Sequence, residues 1–364
     1  MLLSGCGDRA AVEEPTQRAF EPRLLISCGE DCNTPDGVRL NRKTGDMVVA
    51  CPNFNTNAKR NERPGRLMKI TPDNKWEFFS EMPSHGETDR ACPMGMDFGP
   101  DGNLYVADNQ YFYNKDHKSR LIRIVVRDGK AVGSQVVVEG FKLANAVMFK
   151  GDAVFVSDTF FDLPDRALSG IYRVRLSEMQ NEAVRLLPKQ DFEKDPHCIA
   201  TWETLVNDPG VAHRQGERAG ADGLTFDAEG NLYSGNFGDG VIHKIVFKPD
   251  GSVASCAPFV KDWPRMTCVD GIFYDAGRNC IFVADSEKNA IQVVWLPDGK
   301  VTTLWQNADT DGAGGLLDQP CESALRGDEL IVVNFDMPFP GLINKAFDKP
   351  HTICAIDVSG LRRP

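Results

Sequence analysis

Short apolar runs, separated by clusters of Gly, Asp, Asn and Pro, recur along the whole chain. In one copy, the run Asp222-Gly-Leu-Thr-Phe is followed by the turn sequence Asp-Ala-Glu-Gly and by a second run, Leu232–Asn236. Runs of this length, bounded by turn residues, predict β-strands that are joined as hairpins. Helical periodicity is weak everywhere, and its best candidate is residues 195–206. The pattern therefore predicts an all-β protein.

The hairpin occurs six times, which indicates a repeat architecture. The copies begin at residues 36, 94, 145, 222, 270 and 322, and most of them continue into two further strand-like runs. Fixed-order repeats with four strands each are typical of a β-propeller. The sixth copy is one strand short, and we expect the N-terminal run at residues 20–27 to complete it so that no sheet edge stays exposed. We therefore predict a six-bladed β-propeller with four-stranded blades over residues 18–364, preceded by an N-terminal tether, residues 1–17.

Polar residues mark both ends of each hairpin. These ends are expected on the propeller face that also carries the long connections, where binding sites usually lie. The first strands of the hairpins start near the axis with Asp36, Met94, Asn145, Asp222, Asp270 and Glu322. The second strands end in an outer circle with Asn53, Asp108, Asp158, Asn236, Asp285 and Asn334. All of these positions except Met94 carry a carboxylate or an amide.

Two explanations apply to these side chains. Asp and Asn cap strand ends by binding backbone N–H groups, and we favour this explanation for the outer circle. Near the axis, converging carboxylates would repel one another without a cation. Carboxylate and amide oxygens suit Ca²⁺ or Mg²⁺ rather than zinc or copper, and Ca²⁺ tolerates irregular geometry better. We therefore expect a Ca²⁺ site, with Mg²⁺ or another divalent cation as the alternative, held by Asp36, Asn145, Asp222, Asp270 and Glu322. The glycine that follows several of these acids is expected to let backbone and ion approach closely.

Two of the copies resemble a known family. The segments Asn145-Ala-Val…Val156-Ser-Asp158 and Asp222-Gly-Leu…Glu229-Gly-Asn-Leu-Tyr are similar to the gluconolactonase-like family, which includes senescence marker protein, luciferin-regenerating enzyme and drug-responsive lactonases. The chain resembles paraoxonase and strictosidine synthase more distantly. The resemblance implies a six-bladed propeller with one catalytic divalent metal on its axis.

The resemblance also implies roles for single residues. In that family a glutamate from the first blade, an asparagine from the third and an aspartate from the fourth hold the metal. Asn145 and Asp222 match, whereas the first-blade residue here is Asp36. Asp270 is closer to the arrangement in paraoxonase. Met94 departs from the substrate-binding asparagine that gluconolactonases have in the second blade.

These residues together predict a divalent-metal-dependent hydrolase of a lactone or an ester. The metal would stabilise the oxyanion that forms when water attacks the carbonyl group, and Asp222 or Asp270 would act as general base. The candidates for contact with the substrate are His85, Arg90, Asp158, His213 and Arg218. The alternative is a non-catalytic exported propeller that binds a small ligand or a protein and has a structural metal, because one fold hosts many functions.

Composition bears on partners and location. The formal net charge of −11 argues against a nucleic-acid partner, since such a surface needs a basic stripe. The 11 cysteines suit an oxidising compartment, although buried thiols in a β core are the other explanation. Leu3-Ser-Gly-Cys6 resembles the lipobox of bacterial lipoproteins, although only five residues precede the cysteine. We therefore expect an exported protein that is periplasmic, extracellular or attached to a membrane through a lipidated Cys6.

Overall fold

The strands of the computed structural model, which describes residues 17–55, 63–208 and 216–364, form six antiparallel sheets. The inner strand of each sheet contacts the inner strand of the next, and the last inner strand contacts the first. The sheets are therefore the blades of a closed ring, and the predicted six-bladed β-propeller is confirmed.

The strands of each blade are given from the axis outward. Blade one contains β2 Val38–Leu40, β3 Met47–Cys51, β4 Arg66–Ile70 and β5 Trp76–Glu81. Blade two contains β6 Pro93–Phe98, β7 Leu104–Asp108, β8 Ser119–Arg127 and β9 Lys130–Phe141. Blade three contains β10 Ala144–Lys150, β11 Ala153–Asp158, β12 Leu168–Arg175 and β14 Cys198–Glu203. Blade four contains β15 Ala221–Phe226, β16 Leu232–Asn236, β17 Val241–Phe247 and β18 Val253–Lys261. Blade five contains β19 Ile272–Asp275, β20 Cys280–Asp285, β21 Ala290–Trp295 and β22 Lys300–Gln306. Blade six contains β23 Pro320–Arg326, β24 Glu329–Asn334, β25 Thr352–Asp357 and β1 Arg23–Ser27.

The N-terminal strand closes the ring as predicted. β1 pairs antiparallel with β25, and Arg23 lies opposite Ala355 in the register. Blade two gains a fifth strand, β13 (Val184–Arg185), which runs parallel to β9. The helical elements of the described residues are short 3-10 turns at Gln17–Phe20, Leu176–Met179 and Lys189–Lys194.

The helix prediction for residues 195–206 is wrong. This segment contains β14, which pairs with β12 as the outer strand of blade three. Ala200 and Trp202 are buried, and their spacing of two residues is the period of a strand. The Trp202 ring stacks on the His243 ring of blade four, with centroids 4.4 Å apart. Packing between the blades therefore sets the conformation that local sequence left weakly specified.

Apolar layers between neighbouring blades form much of the core. Between blades one and two, for example, Val48 and Leu67 pack in one cluster with Val106 and Ile122. Second strands such as β3, β7 and β11 are buried along their whole length, whereas most positions of the outer strands β18 and β22 are exposed or half-buried. A strand that is buried on both sides reads as a continuous apolar run, which explains why the hairpins stand out in the sequence.

The tight turns account for the Gly-Asn-Leu-Tyr sequence that blades two and four share. Asp227 Oδ1 accepts the backbone N–H of Asn231 at 2.8 Å, and its Oδ2 accepts the Tyr233 hydroxyl at 3.1 Å. Asp101 accepts the Tyr105 hydroxyl at 2.9 Å in the corresponding turn of blade two. This part of the motif therefore stabilises the hairpin and lies on the face opposite the long connections.

Among the described residues, one disulfide is present, between Cys32 and Cys51, with Cα atoms 5.3 Å apart. It links the segment before β2 to the end of β3. Cysteines such as Cys28 and Cys354 are buried thiols, as the second explanation of the cysteine content expects, and the oxidising compartment stays a prediction. Cys6 lies outside the described residues, and its lipidation stays a prediction. In the part of the chain that the structure describes, no helix has the length and apolar character that a membrane span requires.

The outer circle of polar side chains caps backbone groups. Each of its six residues is at most 1% exposed. Several of these side-chain oxygens accept a backbone N–H group from the segment before an inner strand. Asn53 accepts from Asn33, Asp108 from Cys92, Asp158 from Lys142 and Leu143, Asp285 from Thr267, and Asn334 from Asp318. The distances between donor and acceptor run from 2.7 to 3.3 Å. This arrangement supports the capping explanation for the outer circle.

Asp158 also takes part in a buried ion pair. Its Oδ2 lies 3.1 Å from Lys189 Nζ, and neither side chain is exposed. Lys189 Nζ also donates to the Tyr172 hydroxyl at 2.9 Å. Asp158 therefore belongs to the framework of blade three. It was predicted to contact the substrate, but in this structure it offers no exposed surface.

We expect Asp158→Asn to lower the free energy of unfolding by about 3–5 kcal/mol, because it leaves the Lys189 charge buried without its partner. The change is measured by urea unfolding. The control is Asp152→Asn, which removes an ion pair whose aspartate side chain is 65% exposed. This control should cost about 1 kcal/mol or less. Equal effects of the two substitutions would contradict the framework role.

Candidate functional site: the axial ring

The start of each inner strand brings one side chain towards the axis. We call these six residues the axial ring: Asp36, Met94, Asn145, Asp222, Asp270 and Glu322. Four of them lie within β6, β10, β15 and β23, and the pairing register of these strands shifts at or beside the ring residue. A bulge of this kind re-aims a side chain, which here turns it away from the ordinary alternation of the strand.

The glycines of the Asp-Gly pairs allow neighbouring blades to touch. A Cβ on Gly223 would lie 2.5 Å from the backbone oxygen of Asp270, and one on Gly37 would lie 2.4 Å from that of Met94. Glycine is therefore required because the backbone of the next blade is there. The expected reason, close approach of the backbone to an ion, is replaced by contact between two backbones.

Direct contacts link neighbouring blades at or beside the ring residues. Asn145 Nδ2 donates to Asp222 Oδ2 at 2.7 Å, which joins blades three and four. Between blades six and one, Cys321 Sγ lies 3.4 Å from the backbone oxygen of Pro35, beside Asp36. Asp222 and Glu322 are 6% and 8% exposed, and the other three polar ring residues are partly exposed. The ring therefore combines buried carboxylates with groups that solvent reaches.

Burial and mutual repulsion raise the pKa values of the axial carboxyl groups. Burial is the largest cause for Asp36, followed by the charges of Asp270 and Glu322, and it brings the pKa well above its usual value. Burial followed by the three other acids raises the pKa of Asp222 in the same way. Burial raises the pKa of Glu322 to about 7 against the opposing charge of Arg39. So much negative charge in a desolvated site favours a bound cation or retained protons.

The donor set fits Ca²⁺ or Mg²⁺, because it consists of carboxylate and amide oxygens. Among the described residues, no three axial carboxylates bring oxygens within 4.8 Å of one another. Opposite oxygens around one calcium ion are about 4.6–5.2 Å apart. In this arrangement the oxygens that hold one ion would come from some of the carboxylates, together with an amide oxygen such as Asn145 Oδ1. The remaining positions around the ion would be left for water or substrate.

Sequence reasoning missed two residues that act on the ring. The Ser286 hydroxyl donates to Asp270 Oδ2 at 2.5 Å and lies 2.7 Å from the backbone oxygen of Pro320. Thr159 makes the corresponding bridge from blade three to blade four, to the backbone oxygen of Ala221 at 2.7 Å. Both hydroxyls directly follow the aspartate that ends a second strand, and this repeated position is a signal that the sequence contained.

Arg39 is a third residue that sequence reasoning missed. It lies on β2, where its Nε donates to the backbone oxygen of Met96 at 2.9 Å and lies 3.5 Å from the Asp97 carboxylate. Its charge also lowers the pKa of Glu322. Arg39 therefore places a fixed positive charge near the acidic ring. An isolated arginine in a strand gave no sequence signal for that position.

The predicted substrate contacts bond mainly within their own loops. His85 lies between blades one and two, where its Nδ1 accepts the backbone N–H of Glu87 at 3.1 Å. Burial, followed by the charge of Arg120, lowers the pKa of His85. Arg90 bonds to the backbone oxygen of Asp89 at 3.0 Å.

Arg218 supports a neighbouring loop of the same face. Its guanidinium group donates to the backbone oxygen of Leu163 at 2.9 Å and to that of Arg166. It therefore holds the loop that follows β11. His213, the remaining predicted contact, lies outside the described residues. A role of these residues in substrate binding stays a prediction.

A cavity of about 1070 Å³ opens at the other end of the channel, among the tight turns. Arg39, Asp97, Phe149, Phe226 and Tyr274 are part of its lining. If cavity volume were the criterion, the end of the channel that carries the tight turns would be favoured as the binding site. The Asp97 carboxylate of this lining has partners, however, because it pairs with Arg39 and accepts the backbone N–H of Phe149 at 2.8 Å. We therefore assign the candidate chemistry to the axial ring.

No family model matches this sequence, and no curated protein does. The structure is similar to that of luciferin-regenerating enzyme, with 12% identity, a TM-score of 0.60, and coverage of 94% of this chain and 97% of that chain. A gluconolactonase from Xanthomonas campestris gives 12% identity, a TM-score of 0.54, and coverage of 92% and 94%. A calcium-binding regucalcin from Agrobacterium tumefaciens gives 12% identity, a TM-score of 0.52, and coverage of 95% and 97%. This chain therefore shares, over nearly its whole length, the fold of the gluconolactonase, luciferin-regenerating enzyme and regucalcin structures.

Proposed function

We propose that this protein is a divalent-metal-dependent hydrolase of a lactone or an ester, with calcium as the metal and magnesium as the alternative. The observation that carries the proposal is the contact between Asn145 and Asp222 at 2.7 Å, within a ring of four carboxylates whose charges raise the pKa of Asp36 and of Asp222. The fold similarity to a gluconolactonase and to a calcium-binding regucalcin supports the same proposal.

The chain's own residues have separate roles in this proposal. Asn145, Asp222 and one further axial acid would hold the metal, which when bound would polarise the substrate carbonyl and stabilise the oxyanion. Asn145 fixes one oxygen of Asp222, and Ser286 fixes one oxygen of Asp270. Each carboxylate thus has a defined orientation, which a general base needs if it is to take a proton from the attacking water.

A second function has one observation in its favour. Met94 is 7% exposed, and its Sδ lies 3.8 Å from Cys92 Sγ, so the second blade offers the axis no oxygen. A ring that is interrupted in this way also suits a non-catalytic propeller in which the metal is structural and the mouth binds a small ligand or a protein. We propose for either function that the protein is exported, on the lipobox-like sequence at Cys6.

We expect Asp222→Asn to lower kcat/KM for lactone or ester hydrolysis at least about a hundredfold, because it removes both a metal ligand and a candidate base. Asp270→Asn should cause a loss of similar size. Hydrolysis is followed by pH-stat on a panel of lactones and esters in the presence of calcium, and bound calcium is measured on the same samples.

The matched control is Asp97→Asn, which removes a buried carboxylate from the other end of the same channel. It should keep both calcium and turnover. Full activity of Asp222→Asn on a substrate of the wild type would contradict the assignment. Bound calcium without turnover on the whole panel would favour the non-catalytic function.

In metal-free protein, we expect Glu322→Gln to stabilise the fold at pH 8 but not at pH 5. Burial raises the folded-state pKa of Glu322 from 4.5 to about 7, so the folded state keeps this proton more tightly than the unfolded state. The free energy of unfolding of the wild type therefore falls as the pH rises through this range. Glutamine cannot ionise, so Glu322→Gln should be more stable than the wild type at pH 8 by about 1–3 kcal/mol. Urea unfolding in EDTA measures the effect.

Glu329→Gln is the control on the same blade, because its side chain is 34% exposed. It should show little difference between the two pH values. A Glu322→Gln effect of the same size at pH 5 and pH 8 would show that ionisation of this group does not destabilise the metal-free fold.

A further inference from the structure

A second acidic cluster lies on blade six, away from the axial ring. Asp318 precedes β23, Asp336 follows β24, and Asp348 lies in the long connection between β24 and β25. One carboxylate oxygen from each of the three lies within 4.8 Å of the other two. We call these residues the blade-six cluster. They lie on the same face of the propeller as the long connections.

One oxygen of the cluster is buried without a partner. Asp318 is 2% exposed, and its Oδ1 accepts no hydrogen bond from the described residues. Its backbone N–H is held by Asn334 Oδ1 at 3.1 Å. A buried carboxylate oxygen without a donor is strongly unfavourable unless another group, such as a cation, binds it.

The other members of the cluster are held in place. Asp336 Oδ1 accepts from Asn344 Nδ2 at 3.0 Å, and its Oδ2 accepts the backbone N–H of Asp348 at 2.8 Å. His351 Nδ1 lies 3.2 Å from Asp336 Oδ2, and its side chain has no exposed surface. These contacts hold the Asp336 carboxylate and the backbone of Asp348, and the two carboxylates lie near each other although their charges repel.

Further negative charge surrounds the cluster. Burial is the largest cause that raises the pKa of Asp318 to about 8, followed by the charges of Asp336 and Asp348. Asp309 and Asp311, in the loop before β23, add to the same shift. A hydrogen bond ties that loop to the residue before Asp318: the Thr310 hydroxyl donates to the backbone oxygen of Leu317 at 3.1 Å. The imidazole of His351 is the basic group that lies against Asp336.

We propose that Asp318, Asp336 and Asp348 bind a calcium ion, separately from any metal in the axial ring. All three ligands are hard carboxylate oxygens, which select calcium or magnesium over zinc or copper. Oxygens on opposite sides of a calcium ion lie about 4.6–5.2 Å apart, so a cluster within 4.8 Å permits its coordination. His351 is a positioning residue that orients Asp336 as an outer partner of the ligand.

The ion would fasten the connection that runs over residues 335–351. Phe335 contacts Phe54 of blade one, with ring centroids 6.2 Å apart. The backbone N–H of Ile343 donates to the backbone oxygen of Glu287, in blade five, at 2.9 Å. The connection thus reaches both blades beside blade six. Calcium at its base would hold it against the face on which the axial ring opens.

The experiment measures calcium binding by equilibrium dialysis and calcium-induced shifts in Tm, for the wild type, Asp318→Asn and Asp222→Asn. Asp318→Asn should bind one calcium ion fewer per chain than the wild type and should lose most of the rise in Tm that calcium causes. Asp222→Asn should keep that rise. The two variants thus test the two sites separately. If the axial ring binds no metal, the proposal for the blade-six cluster can still be tested.

Three further measurements keep the result interpretable. Asp318→Asn removes a buried charge, so its Tm in EDTA should not fall below that of the wild type, which shows that the variant folds. The control Asp328→Asn, whose side chain is 63% exposed in the tight turn of the same blade, should bind calcium as the wild type does. His351→Gln should weaken binding about tenfold without abolishing it. Equal calcium stoichiometry and equal Tm shifts in the wild type and Asp318→Asn would overturn the proposal, as would a wild type whose Tm responds to neither calcium nor magnesium.

Discussion

Backbone contact between neighbouring inner strands is the constraint on which the rest of the structure depends. At Gly37 and Gly223 a single additional carbon would lie within 2.5 Å of the next blade's backbone. Because the blades approach so closely, the space beside these glycines is filled by backbone, and the neighbouring side chains of Asp36 and Asp222 lie towards the axis. The same approach leaves the hairpins buried on both sides, so that apolar layers between blades supply much of the core.

The close approach also concentrates charge. Four carboxylates share one desolvated region at the axis, where burial and the charges of the other acids raise the pKa of Asp36 and of Asp222. Blade six repeats this situation on a smaller scale, with three carboxylates within 4.8 Å. The two clusters differ in width. Around a bound ion, the wide axial cluster would leave coordination positions open, as the proposed hydrolase needs, whereas the narrow cluster at the base of a long connection suits the proposed structural ion.

Identical residue types have different roles according to the backbone groups beside them. Asp158 and Asp222 both lie at hairpin ends on the same face. Asp158 accepts two backbone N–H groups and pairs with Lys189, so its charge is neutralised inside the fold. Asp222 has Asn145 as its side-chain donor and faces three other acids. The difference in surroundings, more than the residue type, separates a structural cap from a candidate ligand.

The sequence by itself determined the six hairpins, the closing N-terminal strand, and the position of Asn145 and Asp222 at equivalent points of neighbouring blades. It could do so because strand burial and turn chemistry are local, and a repeat carries local positions into three dimensions. Only the tertiary structure decided that residues 198–203 form a strand, that the glycines serve contact between backbones, and that Asp348 meets Asp318. These features depend on packing between segments that are distant in the sequence, and a local pattern contains no record of which distant groups will become neighbours.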